Sequence, residues 1–113
     1  MHEMALAQSI VALVEDKARA ESFTRVRTIR LSIGALAHVD PRALEFDFDV
    51  VAKGTVAEGA ALAIDRPRGT AWCTDCSEAV EVSAHGEPCP KCGGFRWMLT
   101  DGDEMRVVEL EVA

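Results

Sequence analysis

The sequence predicts an α/β (α+β) protein: a three-stranded sheet with two helices, plus an inserted four-cysteine module. Three observations lead there. Two stretches carry apolar residues at helical spacing, and three others alternate apolar with polar residues as half-buried strands do. Two C-x2-C pairs then sit together between the last two of those strands. The implied order is helix, strand, helix, strand, cysteine module, strand. At 113 residues the chain fits one domain, or one small domain carrying a smaller module. The expected boundaries are 1–69 with 103–113 for the α/β domain and 70–102 for the module.

The first helix is expected from Met4 to about Ala20. Apolar residues fall at Met4, Ala7, Val11 and Val14, with Leu6, Ile10 and Leu13 widening the stripe. The first strand follows over Thr24 to Ile33, where Ile29, Leu31 and Ile33 alternate with Thr28, Arg30 and Ser32. Asp40-Pro41 then supplies an N-cap and a proline for the first turn of a second helix. Leu44, Phe48 and Val51 give that helix its apolar face, and Gly54 closes it. Ala60 to Asp65 reads as a short strand around Leu62 and Ile64, ended by Pro67 and Gly69. The last strand runs from Met105 to Val112, with Val108, Leu110 and Val112 alternating with Glu109 and Glu111. No repeats and no low-complexity linker are visible.

Composition narrows the function classes. Half the residues are hydrophobic, so a real core is available, though a thin one for a domain of this size. A net charge of −7 disfavours nucleic acid and anionic membrane, which both need a cationic face. The uncharged run Met4 to Val14 is preceded by Glu3 and followed at once by Glu15-Asp16, so it does not read as a signal peptide. It is also far short of the roughly 20 residues that span a bilayer. A soluble, cytoplasmic protein is expected. In that reducing setting clustered cysteines read as metal ligands before disulfides.

The spacing of the cysteines is C-x2-C-x12-C-x2-C, with Cys73 and Cys76 in CTDC and Cys89 and Cys92 in CPKC. Each pair can close a tight knuckle whose amides face the sulfurs, and Gly93-Gly94 permit the turn after the second. Four thiolates complete a tetrahedral zinc site with no open position, which makes it structural. The module looks too short to bury a core of its own, so the metal is expected to supply much of its folding free energy. A redox dithiol pair fits two matched pairs poorly, since thioredoxin-like chemistry uses a single C-x-x-C opening a helix beside a strand. Iron in the same four-thiolate geometry stays open beside zinc. A nucleic-acid-binding zinc ribbon fits poorly too, because Asp75, Glu78, Glu81 and Glu87 face Lys91 alone between the cysteines. Phe95 and Trp97 could stack on bases, but their alternation with Arg96 and Met98 reads as a small strand.

The opening residues MHE offer a second donor set. A free α-amine, the amide nitrogen of residue 2 and the imidazole of His2 can close adjacent chelate rings. Such a planar nitrogen set suits Ni(II) or Cu(II) better than tetrahedral zinc. The α-amine titrates near neutral pH, and the bulk of His2 is expected to keep Met1 in place. A helix of about 17 residues runs ~25 Å and a ten-residue strand returns ~33 Å. If the two pack antiparallel, the loop Gly34–Asp40 comes back toward the amino terminus and gathers His2, Glu3, His38 and Asp40. Each has an ordinary reading as well: Glu3 at the positive end of a helix dipole, Asp40 as an N-cap, His38 as a loop residue. His85 reads as a solvated loop residue, since four cysteines already fill the other site.

Taken together, these residues resemble the HypA/HybF hydrogenase maturation factors, a family of small nickel metallochaperones. The resemblance runs nearly end to end. It rests on the opening MHEMALAQSIV, on VRTIRLSIGALAHVDPRALEFDFDVV, on Gly54-Thr55, on the two C-x2-C pairs and on the closing GDEMRVVELEV. It implies that His2 and Glu3 bind Ni(II) with backbone nitrogens of the first residues, and that 1–69 with 103–113 is the nickel-binding part. It implies a structural Zn(II) held by Cys73, Cys76, Cys89 and Cys92. It further implies a carrier of nickel cargo, not an enzyme, with no catalytic residues, that delivers to the large subunit of [NiFe]-hydrogenase and works with a GTPase partner. Some members serve urease, which would add urease accessory proteins to the partners, and both a monomer and a homodimer stay open. An acidic residue in the loop before the second helix has been proposed as an extra nickel ligand, and Asp40 holds that position. Many members carry glutamate after the loop glycine and a glycine further on, where this chain has Ala35 and His38; His38 is a candidate replacement donor. From the residues alone the competing readings are an enzyme, disfavoured by the closed zinc site and the lack of a nucleophile–base pair, and a zinc-ribbon adaptor for which MHE is incidental.

Overall fold

A computed structural model describes residues 3–113 of the chain. Two helices and six strands follow in the order α1 (Glu3–Glu21), β1 (Val26–Ile33), α2 (Pro41–Val51), β2 (Ala61–Asp65), β3 (Gly69–Cys73), β4 (Glu78–Val82), β5 (Trp97–Asp101) and β6 (Met105–Val112). They form two three-stranded sheets, β2-β1-β6 and β4-β3-β5. The chain divides into two compact units. The first comprises Met1–Leu31, Val39–Ile64 and Val107–Ala113, and the second Ser32–His38 and Asp65–Arg106.

In the first unit α1 packs on α2. Its buried residues are Leu6, Ala7, Ile10, Val11, Val14 and Ala18. Met4 and Leu13, expected in the stripe, stand exposed. At 3.6 residues per turn they fall just outside the two margins of the buried arc, while Ala18 lies within it and carries the buried stripe one turn further along the helix. The helix ends without glycine. Ser22 takes a left-handed conformation, φ 59°, and the Phe23 amide reaches back to the Ala18 carbonyl at 3.2 Å, the closing bond of a Schellman turn.

α2 begins as its sequence signals. The Asp40 carboxylate accepts from the amides of Arg42 and Ala43, at 3.0 and 3.4 Å, with Pro41 following. Leu44 and Phe48 are buried, and burying a side chain of that size is worth about 2–3 kcal/mol. The helix stops at Val51, and Gly54 lies three residues on at φ +77°. In β1, Val26, Ile29, Leu31 and Ile33 are buried. β6 departs from expectation, because Val108 and Val112 are exposed while Met105, Val107 and Leu110 are half-buried. β6 is an edge strand beside the central β1, so its side chains have neighbouring strand residues on one side only.

The second unit has more structure than its composition suggests. Where one small strand near Phe95–Met98 was expected, β3 pairs antiparallel with both β4 and β5, setting Ala71 against Val80 and Leu99, and Cys73 against Glu78 and Trp97. The expectation that the module buries no core also fails. Ala71, Cys73, Val80, Val82 and Cys89 form a buried cluster, and Leu36 joins it from the Ser32–His38 segment. Three glycines let the backbones close up. A methyl group on Gly34 would overlap the Gly102 carbonyl, one on Gly102 would overlap the Gly69 backbone, and one on Gly69 would strike the Leu36 side chain and the Asp101 carbonyl. Arg66 locks the same turn. Its guanidinium donates to the carbonyls of Ile33, Gly34 and Ala37 at 2.8, 3.1 and 3.1 Å, with Ala35 further off at 3.5 Å.

Candidate metal centre

The four cysteines are brought together in the second unit. Their sulfurs all lie within 4.8 Å of one another. Cys73 and Cys92 are 3.7 Å apart and Cys76 and Cys89 3.8 Å. A tetrahedral ion with metal–sulfur bonds of about 2.3 Å places its sulfurs about 3.8 Å apart, so the donor set fits such an ion. Zinc and iron are alike in this respect.

Two knuckles built on one plan supply the sulfurs. Four residues after the first cysteine of each pair, an amide returns to that cysteine's carbonyl: Ser77 to Cys73 at 2.8 Å, Gly93 to Cys89 at 2.9 Å. Both returning residues are left-handed, at φ 54° and 75°. Glycine takes that conformation freely, whereas serine pays about 1–2 kcal/mol for it. Sequence reasoning found the Gly93 turn and missed Ser77; aligning the two pairs would have exposed the equivalence. Amides of Cys92 and Lys91 face the Cys89 sulfur and lower its pKa to about 7. Cys76 is pushed up instead, by hydrogen bonding to Cys92 first and by burial second. Bonding to a cation removes thiol protons from such a set outright. Outside the sulfurs, Lys91 pairs with Glu78 at 2.5 Å and Arg96 with Asp75 at 2.6 Å. Trp97 Nε1 donates to the Glu87 carbonyl at 2.8 Å, so this ring is fixed by the loop leading into the second knuckle.

The amino-terminal constellation divides. His2 lies outside the described residues. Glu3 and Asp40 are brought together in the first unit, where the Asp40 amide donates to Glu3 Oε2 at 3.1 Å. That bond, then the Glu3 amide, lowers the Glu3 pKa below the ordinary carboxylate value, so the group is an anion at neutral pH. The Asp40 carboxylate is engaged as the cap of α2. His38 belongs to the second unit, and its ring stacks on that of His85, centroids 4.8 Å apart. His85 is exposed as expected but is not merely solvated, since its Nε2 lies 2.9 Å from the Leu36 carbonyl. Among the described residues no helix is long and apolar enough to cross a membrane.

Comparison with known proteins agrees with this geometry. Residues 1–112 match the family described as hydrogenase/urease nickel incorporation, metallochaperone, hypA. The chain is 53% identical over 112 residues to hydrogenase maturation factor HypA 2 of Bradyrhizobium diazoefficiens and 52% identical to HypA of Methylocella silvestris, covering 99% of both chains in each case. The solution structure of the Ni metallochaperone HypA from Helicobacter pylori superposes with a TM-score of 0.68 at 26% identity, over 99% of this chain and 97% of that one. A second HypA solution structure gives 0.70 at 27%, over 100% and 97%. With a match from end to end and four sulfurs gathered for a metal, the chain belongs to the HypA family of nickel metallochaperones for hydrogenase maturation.

Proposed function

We propose that this protein carries Ni(II) on its amino terminus, through the Met1 α-amine, the amide and imidazole of His2, and Glu3. The observation that carries the reading is the Glu3–Asp40 bond. It holds an anionic side chain over the start of α2, one residue from the nitrogen donors, and it needs only the Asp40 backbone. Three nitrogens suit Ni(II), and the nearby carboxylate offsets its charge. On this reading 1–69 with 103–113 form the nickel-binding domain and 70–102 the metal-stabilised module.

The ion at Cys73, Cys76, Cys89 and Cys92 is Zn(II), in a structural role. With all four positions taken by sulfur, none is left for substrate. The protein is a carrier and not an enzyme, cytoplasmic, working with a GTPase and delivering to the hydrogenase large subunit; in a urease-containing cell it would also meet urease accessory proteins. Homodimerisation is compatible with this scheme and not required by it. Neither nucleic acid nor membrane is a partner.

The test is calorimetric titration of Ni(II) into untagged, zinc-loaded protein beside His2→Ala and Glu3→Gln. The expected result is about one tight equivalent in the native chain, lost in His2→Ala and weakened in Glu3→Gln. Equal binding by all three would refute the amino-terminal site and favour an adaptor role for the cysteine module. Metal analysis of protein purified without added metal should return zinc, and iron would overturn that assignment.

A further inference from the structure

Two of the chain's three histidines meet in the second unit. The rings of His38 and His85 stack with centroids 4.8 Å apart and planes 11° from parallel, and both residues are exposed. His85 Nε2 lies 2.9 Å from the Leu36 carbonyl oxygen. A carbonyl only accepts, so this nitrogen carries the proton and donates it. In the neutral ring the lone pair then resides on Nδ1. A histidine with one nitrogen tied to a backbone carbonyl is the usual arrangement around a bound metal, because the bond fixes the tautomer and raises the basicity of the other nitrogen. The acceptor is itself well held. Leu36 is buried in the core of the unit, and its amide donates to the Gly102 carbonyl at 3.0 Å.

We propose that His38 and His85 together bind a divalent first-row cation at a two-imidazole site that shares no donor with the four cysteines. Paired imidazoles suit Ni(II), Cu(II) and Zn(II), and water completes the coordination shell. Two neutral donors make a weak site, from which an ion leaves readily. In the stack the rings present faces to each other, whereas a shared ion needs their nitrogen lone pairs to converge. The exposed His38 ring reaches that arrangement by rotating about its side-chain bonds, a motion that is fast at a surface position. The stack is thus the ion-free form and the chelate the loaded form. Arg66 holds the carbonyls of the turn that carries His38, so the backbone on that side stays in place while the ring turns.

The test uses zinc-loaded His2→Ala protein, which removes the proposed terminal site, and Ni(II) alone as the probe. Imidazole 15N–1H correlation spectra follow both rings while calorimetry counts the ion. The expected result is joint broadening of the His38 and His85 signals with one weak equivalent. Adding His38→Ala abolishes the response at His85, adding His85→Ala abolishes the response at His38, and either change weakens that equivalent by at least tenfold. His38→Ala alters an exposed ring, and far-ultraviolet circular dichroism checks that each variant keeps its fold. A His85 signal that still responds in the His38→Ala variant would overturn the proposal. So would rings unaffected by Ni(II) in His2→Ala. Failure of the amino-terminal reading shows separately, as a tight equivalent that survives His2→Ala.

Discussion

Replacing Asp40 separates two roles that the structure assigns to different atoms of one residue. Its carboxylate caps α2 through the amides of Arg42 and Ala43, and its own amide holds Glu3. Asp40→Ala removes the cap and keeps the amide. One of the two capping bonds, at 3.0 Å, has good length and the other, at 3.4 Å, is long, so the loss is set near the middle of the usual range, about 1 kcal/mol. For a chain of this length that corresponds to a fall in Tm of about 4 °C. Asp40→Asn keeps a capping oxygen and loses only the charge near the helix dipole, a cost of a few tenths of a kcal/mol. Thermal and urea unfolding of the zinc-loaded proteins, followed by helix ellipticity, measure both. Nickel affinity is then expected to match the native value in Asp40→Asn, since the bond to Glu3 survives. Equal destabilisation by Ala and Asn would refute the capping assignment, and a large affinity loss in Asp40→Asn would refute the division and make the carboxylate itself a nickel donor.

Ser77→Gly relieves a left-handed serine, less the entropy glycine brings to the unfolded chain, and is expected to raise stability by about 0.5–1 kcal/mol in urea unfolding. Gly34→Ala and Gly102→Ala force a methyl group into neighbouring backbone and are expected to cost more than about 3 kcal/mol, read as loss of soluble, zinc-retaining protein. Removing the cysteine-bound metal with a chelator is expected to collapse the amide dispersion of residues 69–101, because Cys73 and Cys89 are themselves part of the buried cluster of that unit, with Cys76 packed against it. Glu104 has its pKa raised, by hydrogen bonding to Asp101 and then by its charge. The native state therefore holds a proton there that the unfolded chain has lost, so this group's contribution is present below the ordinary carboxylate value and declines as pH rises through the raised one. Carboxyl chemical shifts are expected to show that late titration, and Asp101→Asn to move it back toward the ordinary value.

The periodic signals were legible. All five expected elements, α1, α2, β1, β2 and β6, are present, and α1, α2 and β1 bury faces that repeat at the element's own period, whereas β6 keeps its place but exposes Val108 and Val112. The cysteines were legible for a different reason: four identical ligands at matched spacing leave few other uses. What escaped was non-local or carried by small residues. β3 reads GTAWC, and its inward positions are Gly69, Ala71 and Cys73, which leave no apolar alternation to notice. β4 does alternate, with Val80 and Val82 inward, but lies in a stretch dominated by cysteine, proline and glycine. Ser22 and Ser77 adopt a backbone that residue identity argues against. The mutual approach of Gly34, Gly69 and Gly102, and the meeting of His38 with His85, depend on pairings that no local window contains.

The division of the chain has a consequence for its manufacture. The first unit takes residues from three separate stretches, the last of them Val107–Ala113, while the second is interrupted by Val39–Ile64. A ribosome emits the chain from its first residue onward, and units fold when their parts are present. The second unit is complete at Arg106 and the first only with Val107–Ala113, which holds most of β6. The first unit must wait for β6, the last strand to emerge. α1, though it precedes every other element, therefore gains its complete scaffold only with β6, the last of them.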